Sequence, residues 1–397
     1  MIFCWQLGRG RLKFASMIIS RLVLKNWRNF RSVDVRFAQR VFLTGPNASG
    51  KSNLLDVFRF LRDIVKPGGG LQSAMSDRGG LSKVRCLAAR REPNIEIEVE
   101  LSEDGSLPTW RYGIGIRQQP RGYRLPILQF EKIWSGDRLI CDRPDKEDKA
   151  DEERLTQTHL EQISSNAEFR EIAKFFESIR YLHLVPQLLR HPEAFQGSNV
   201  PDDPYGRNFL EMVVKTPEKT RRSRLRKIEE ALRAAVPQMR NLIDTRDESG
   251  IPHLEATYEH WRPNAGKQRE DQFSDGTLRL IGLFWSLLDG DSPLLLEEPE
   301  LSLHSGIVSK LPELFFLMQR QKKRQLFVST HSGDMLSQKS IGGEEVLILR
   351  PDKEGTVVKV ASSIKAVKDL LDSGLSVADV ILPLTAPGNL NQLDKFA

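Results

Sequence analysis

The chain has 397 residues, 39% hydrophobic and 28% charged, a globular composition with room for one large core or for a core carrying an inserted lobe. Its 59 Lys+Arg against 53 Asp+Glu give a net charge of +6, a mild basic excess that is compatible with nucleic acid but identifies no partner. Three scattered cysteines, Cys4, Cys86 and Cys141, exclude a disulfide framework and a cysteine zinc site and fit a reducing cytoplasm, and no apolar run reaches the length of a membrane span.

Residues 1–16, MIFCWQLGRGRLKFAS, are interrupted by Arg9, Arg11 and Lys13, which spoils a signal-peptide core; they read as an extension, with Met17 as an alternative start. From Met17, MIISRLVLKNWRNF has a strand pattern. Val41-Phe42-Leu43 reads as a buried strand, and Leu54, Leu55, Phe58 and Leu61 recur at helical spacing. Between them Gly45, Pro46, Asn47, Ala48, Ser49, Gly50, Lys51 and Ser52 match GxxxxGK[ST] at every fixed position, with Asn53 following. Glycines let successive amides turn inward on a phosphate, and the helix N-terminus adds its dipole. Lys51 is expected to meet the β- and γ-phosphates and the Ser52 hydroxyl to ligate Mg²⁺. The loop is expected to bind a nucleoside triphosphate.

Ile95, Ile97, Val99 and Leu101 alternate with acids and RYGIGI follows, predicting antiparallel strands over about 92–140. DRPDKEDKADEER, residues 142–154, is dense in both charges and reads as a solvated loop or linker. Phe169 to Leu189 reads as helix and then extended chain. Across 191–254 a compact helical arm is expected, with a helix or two from Arg222 to Ile243 interrupted at Pro237. The run Arg221, Arg222, Arg224, Arg226 and Lys227 there suits either a grip on phosphates or a solvated helix face. The basic run 319–324 closes a helix, where cations complement the dipole.

Phe273-Ser274-Asp275-Gly276-Thr277 precedes the apolar helix pattern LRLIGLFWSLL; Ser274 is a natural N-cap, and the turn offers amides to an anion. Leu294 to Leu296 is an apolar run ending in Glu297, Glu298 and, after Pro299, Glu300, as at the carboxyl end of a buried parallel strand. Glu297 is expected on the Mg²⁺ side and Glu298 as the group that polarises the attacking water. A nuclease metal site of the three glutamates lacks a second acidic constellation. QLFVSTHS is another apolar run, ending near His331, which places the imidazole at the same sheet edge as Glu298.

The order of these pieces resembles the ABC-type ATPases, specifically the RecF/SMC/OLD-like (overcoming-lysogenization-defect-like) branch often described as AAA-family ATPases. The resemblance runs from Met17 to about Arg350 through LKNWRNF, GPNASGKSNLLD, FSDGTLRL, LLLEEPELSLH and STHS. It implies an α/β P-loop NTPase head of ABC type with an N-terminal antiparallel β region, a mixed or parallel core sheet and an inserted helical arm. It also implies that Ser274 and Gly276 contact the γ-phosphate, that 301–304 form the D-loop and that His331 is the switch histidine. Gln187, in YLHLVPQLLR, is the candidate lid glutamine and joins Ser52 and Glu297 on the metal, while Arg28 and Asn29 edge the nucleotide pocket. Two positions depart from the pattern: Glu297 stands where aspartate is usual, and Asp275 replaces the first signature glycine.

The organisation expected is an extension at 1–16, a first ATPase lobe at 17–190, the arm at 191–254, a second ATPase lobe at 255–362 and a tail at 363–397 that docks a partner or packs on the head. No Toprim-type acid set, HNH pattern or HxD-type metal set stands in that tail. One phosphate loop and one signature per chain imply a homodimer or higher even oligomer, joined head to tail by ATP. Duplex DNA and a separately encoded nuclease or Toprim-like effector, as in prokaryotic antiviral defence, are the implied partners, in the cytoplasm and without a membrane. A RecF-like repair ATPase and a slowly hydrolysing ATP-bound scaffold are the alternatives.

Overall fold

The computed structural model describes residues 17–89, 93–103, 107–120, 122–191, 203–260 and 266–386. The expected extension 1–16, part of the expected arm at 192–202 and the tail beyond 386 lie outside the described residues. Among the described residues the strands, in chain order, begin with β1 Met17–Trp27, β2 Phe30–Arg36, β3 Arg40–Thr44, β4 Ile95–Glu103 and β5 Pro108–Gln118. They continue with β6 Pro126–Ser135, β7 Arg138–Arg143, β8 Arg180–Leu182, β9 Met239–Arg246 and β10 Pro252–Tyr258. The last are β11 Lys267–Arg269, β12 Leu294–Glu297, β13 Leu326–Ser329, β14 Val346–Asp352 and β15 Gly355–Val360.

An antiparallel sheet in the order β2-β1-β4-β5-β6-β7 forms the N-terminal layer. On β4 the alternation seen in the sequence sorts the faces: Ile95, Ile97, Val99 and Leu101 are wholly buried. Its glutamates meet cations opposite them on β1, with Glu96 2.7 Å from Lys25 and Glu100 3.0 Å from Arg21. Opposite charges facing each other across a ladder help hold this register.

The core sheet runs β15-β14-β3-β13-β12-β8, parallel throughout except for β15. Leu294–Leu296 and Leu326–Val328 are buried because both faces of this sheet are covered, which accounts for unbroken apolar runs in place of alternation. The sheet takes β3 and β8 from the first half of the chain and its other strands from the last third, so distant segments share one edge. The helix Lys51–Val65 lies between the two layers; Phe58 packs on Phe37 and Phe327 with ring centroids 5.9 and 5.1 Å away.

Two expectations change. The first helix expected from Arg222 ends at Leu232, and past Pro237, where a second helical piece is expected, the chain instead enters β9, which with β10 and β11 makes a three-stranded antiparallel sheet. The expected boundary at 254 falls inside β10 and β11 lies beyond it, so this segment is helix and sheet together and runs past the bounds expected for the arm. Leu225, Ile228 and Leu232 share a core with Met239, Leu242 and Leu254. The β9–β10 turn is held by Asp247, whose Oδ1 accepts from the amides of Ser249 and Ile251 at 2.9 and 2.8 Å. Such Asp-to-backbone bonds close a hairpin without help from the apolar period.

The stretch 142–154 is no solvated loop. Arg143 and Asp148 are buried, and the Arg143 guanidinium lies 2.7 Å from Asp148 Oδ1 and 3.1 Å from Glu131 Oε2. The short helix Lys146–Ala150 is closed by a capping box between Asp145 and Asp148. Composition counts charges but does not show which of them pair, and paired, hydrogen-bonded charges can be buried. In the tail, Val377–Thr385 buries Val377, Val380 and Ile381 against the head, so its described part packs there.

Candidate functional site

The phosphate-loop segment leaves the carboxyl end of β3. Gly45 has no room for a side chain, since a Cβ would meet the carbonyl of Leu349 and the hydroxyl of Ser49. Gly50 has φ +96°, and a Cβ there would run into Asn29. Asn29 braces the loop: its Nδ2 donates to Ser49 O at 2.9 Å and to Thr356 Oγ1 at 2.8 Å, and its Oδ1 accepts from Asn53 at 2.8 Å. The side chain of Asn53 is thus tied to Asn29. Arg28 turns away to Asp56 on the helix, at 2.8 Å. Pro46, Asn47, Ala48 and Ser52 are at least partly exposed, while Ser49 and Lys51 are buried. Lys51 Nζ donates to the carbonyls of Gly45 and Pro46 at 3.2 and 3.3 Å. Burial holds the Lys51 ammonium below the usual lysine range, opposed by Glu298, Glu297 and Glu300.

Facing the loop, β12 delivers Glu297, whose Oε1 accepts a hydrogen bond from Ser52 Oγ. Its Oε2 accepts from Tyr181 of the neighbouring strand β8. Burial first, and then Glu297, push the Tyr181 hydroxyl well above its usual value, so it remains a donor. Glu298 takes φ +45°, a conformation costly for any residue but glycine, and its carboxylate Oε1 sits 3.4 Å from His331 Nε2. Burial, with the charge of Lys51 adding to it and Glu298 opposing, lowers the His331 pKa and favours the neutral imidazole. Glu300 is buried and accepts from Thr330 Oγ1 at 2.5 Å and from the His331 amide at 3.2 Å, so it braces the turn that carries the histidine. The three glutamates diverge to different partners, and the nuclease reading finds no shared metal position.

Ser274 caps the helix Asp275–Leu288, accepting from the Thr277 amide at 3.2 Å. Gly276 is packed against the 301–304 segment, where a Cβ would lie 2.8 Å from Ser302 O. Gln187 departs from expectation. Its Nε2 donates to Asp275 Oδ2 at 2.8 Å, and Arg190 donates to the other oxygen at 2.7 Å. The short helix Pro186–Arg190 carries Gln187 to the Asp275 carboxylate instead of to Ser52 and Glu297. Asp275, which stands where the resemblance implies the first signature glycine, supplies that acceptor. The roles of Tyr181 and Arg190, and that of Glu300 as a brace and not a metal ligand, do not show in the sequence; each acts through a contact between distant segments.

Hydroxyl and carboxylate oxygens at Ser52 and Glu297 form a hard donor set of the kind Mg²⁺ accepts, beside a loop shaped for phosphate, so the residues present fit a Mg²⁺-nucleotide. A cavity of about 700 Å³, lined in part by Arg180, Tyr181, Phe209, Arg224 and Arg324, opens beside β8 and the start of β12. In the basic run of the arm, Arg221 and Arg224 are tied to Asp244 and Asp289 at 2.8 and 2.9 Å, while Arg222 and Arg226 stay exposed in pairs along their own helix. No helix among the described residues is long and apolar enough to cross a membrane.

A phosphate loop on a mostly parallel sheet, with an antiparallel layer in front and an acid-tipped strand two positions away, defines a P-loop head of the ABC class. The chain belongs to the family described as "AAA domain, putative AbiEii toxin, Type IV TA system", whose model matches residues 40–336. It is 31% identical over 91 residues to the DNA replication and repair protein RecF of Synechocystis sp., a match covering 22% of this chain and 24% of that relative's length. Among solved structures, an SMC head bound to the C-winged helix domain of ScpA is similar at 16% identity and TM-score 0.53, covering 86% of this chain and 97% of that one. That likeness is one of fold.

Proposed function

We propose that the chain binds and hydrolyses Mg-ATP, and that two heads close head to tail around the nucleotide to drive a switch acting on DNA or on a partner effector. The observation that carries this is the convergence of Ser52, Glu297 and the Glu298–His331 pair on one sheet edge. Ser52 and Glu297 would hold Mg²⁺, which would supply positive charge against the phosphate oxygens. Lys51 would exchange its two carbonyl partners for phosphate oxygens. Glu298 orients and polarises water, with His331 as its neutral neighbour. The exposed loop face at Asn47, Ala48 and Ser52 leaves room for a second head, whose Ser274 and Gly276 would complete the phosphate site.

Association driven by nucleotide is a population shift: the closed pair gains stability only from contacts that exist when the γ-phosphate is present. Placement among OLD-like ATPases whose effector is a separate nuclease in antiviral defence belongs to this proposal. The toxin–antitoxin wording of the family description bears on the defence part of this reading and names neither an OLD-like ATPase nor a nuclease. The RecF similarity supports a second reading, a repair ATPase on DNA. The deciding experiment measures ATP turnover and sedimentation of wild type, Lys51→Ala and Glu298→Gln, with and without duplex DNA. Lys51→Ala should lose nucleotide binding, and Glu298→Gln should accumulate an ATP-bound dimer. Turnover unaffected by Lys51→Ala would sink the assignment.

A further inference from the structure

We infer that Tyr181 is a positioning residue for the metal-side carboxylate, fixing one oxygen of Glu297 so that the other stays turned to Ser52 and the Mg²⁺ side. The inference rests on the Mg-ATP reading above and adds a residue to it. Glutamate has one more rotatable bond than aspartate, so a carboxylate on Glu297 needs an added restraint to stay as well aimed. The structure supplies it from two sides. Ser52 Oγ donates to Oε1 and Tyr181 Oη to Oε2, so each oxygen has its own partner. Ser52 is itself expected on the metal, which leaves the phenol as the restraint that persists when the ion arrives.

Tyr181 is in turn held fast. Its strand pairs in parallel with β12, Leu295 opposite Tyr181, so phenol and carboxylate rise from adjacent strands. The Arg59 guanidinium carbon lies 4.2 Å from the Tyr181 ring centroid and covers one face. Outer partners of this kind orient metal ligands, and losing one typically costs 10- to 100-fold in metal affinity or activity.

The test is Mn²⁺ binding by electron paramagnetic resonance in the presence of a non-hydrolysable ATP analogue, on the full chain. Tyr181→Phe keeps the ring and its stacking and removes only the hydroxyl. It should weaken Mn²⁺ binding by about 10-fold or more, with analogue affinity in EDTA unchanged and only a small fall in the thermal midpoint. In a Glu297→Asp background the same change should have no effect, because the shorter side chain draws the carboxylate back from the phenol. Wild-type Mn²⁺ affinity in Tyr181→Phe would overturn the inference and leave the ATPase proposal standing. So would an equal loss in both backgrounds, which would mean that the hydroxyl acts through packing. A wild-type protein that binds the analogue with no Mn²⁺ would overturn both.

Discussion

Ser52 Oγ donates a hydrogen bond to Glu297 Oε1, although the two residues lie 245 positions apart. The bond links the first turn of the phosphate-loop helix to the tip of β12, two strands over in the sheet. Ser52→Ala and Glu297→Gln should each raise the Mg²⁺ concentration for half-maximal turnover by roughly 10- to 100-fold. ATP binding measured calorimetrically in EDTA should survive both changes. An unaltered Mg²⁺ requirement would separate this pair from the metal.

Glu298→Gln keeps the shape of the side chain and removes the charge that polarises water. Turnover should fall by about 10²- to 10⁴-fold, the usual range for a general base, while filter binding still detects ATP. His331 should titrate below the ordinary histidine value of about 6.5 in nucleotide-free protein, because burial and Lys51 disfavour the imidazolium. Bound triphosphate brings negative charge and should raise that midpoint, which NMR titration of the ring can follow. A midpoint above 6.5 without nucleotide would contradict the geometry.

Asp275 holds both Gln187 and Arg190, and its side chain is 34% exposed, so the ion pair alone is weak. Asp275→Ala should cost about 1 kcal/mol of stability and speed hydrogen exchange at the amides of Leu188 to Arg190. Exchange rates equal to wild type would show that the helix Pro186–Arg190 is held by other contacts.

Arg143 sits between two buried carboxylates, and Arg143→Met leaves Glu131 without its cation and Asp148 with only the partly exposed Arg154, 3.2 Å away. A loss of about 3–5 kcal/mol at pH 7 is expected from chemical denaturation. The pH dependence follows from the signs. Arg143 holds the Asp148 carboxyl far below the usual range, which contributes stability above the unfolded value near 3.9 and loses it as pH falls through the folded pKa. Burial pushes Glu131 the other way. Without Arg143 both carboxyls should take up protons in the folded state, so the deficit of the variant should shrink between pH 7 and pH 4. A deficit that grows in acid would be the wrong sign.

The thiol of Cys141 is pushed up to about 12, chiefly by burial and then by Glu131. In the native protein it should resist iodoacetamide at pH 8 for far longer than in urea, by mass spectrometry of the peptide. Equal labelling in both states would show that the region around β7 opens freely.

Local chemistry made much of the head legible in the amino-acid order. GPNASGKS declares its task because a phosphate cradle is built from contiguous amides, and β4 shows its faces because period two is a local property. The unbroken apolar runs before Glu297 and before Ser329 marked strands covered on both sides, and their polar ends marked the shared edge. What the folded chain alone decided are pairings between segments far apart: Gln187 on Asp275, Tyr181 on Glu297, Glu300 under Thr330, Arg143 between Glu131 and Asp148. A charged or amide side chain accepts many partners at similar free energy, and backbone topology selects the one within reach, so neither composition nor spacing can name it.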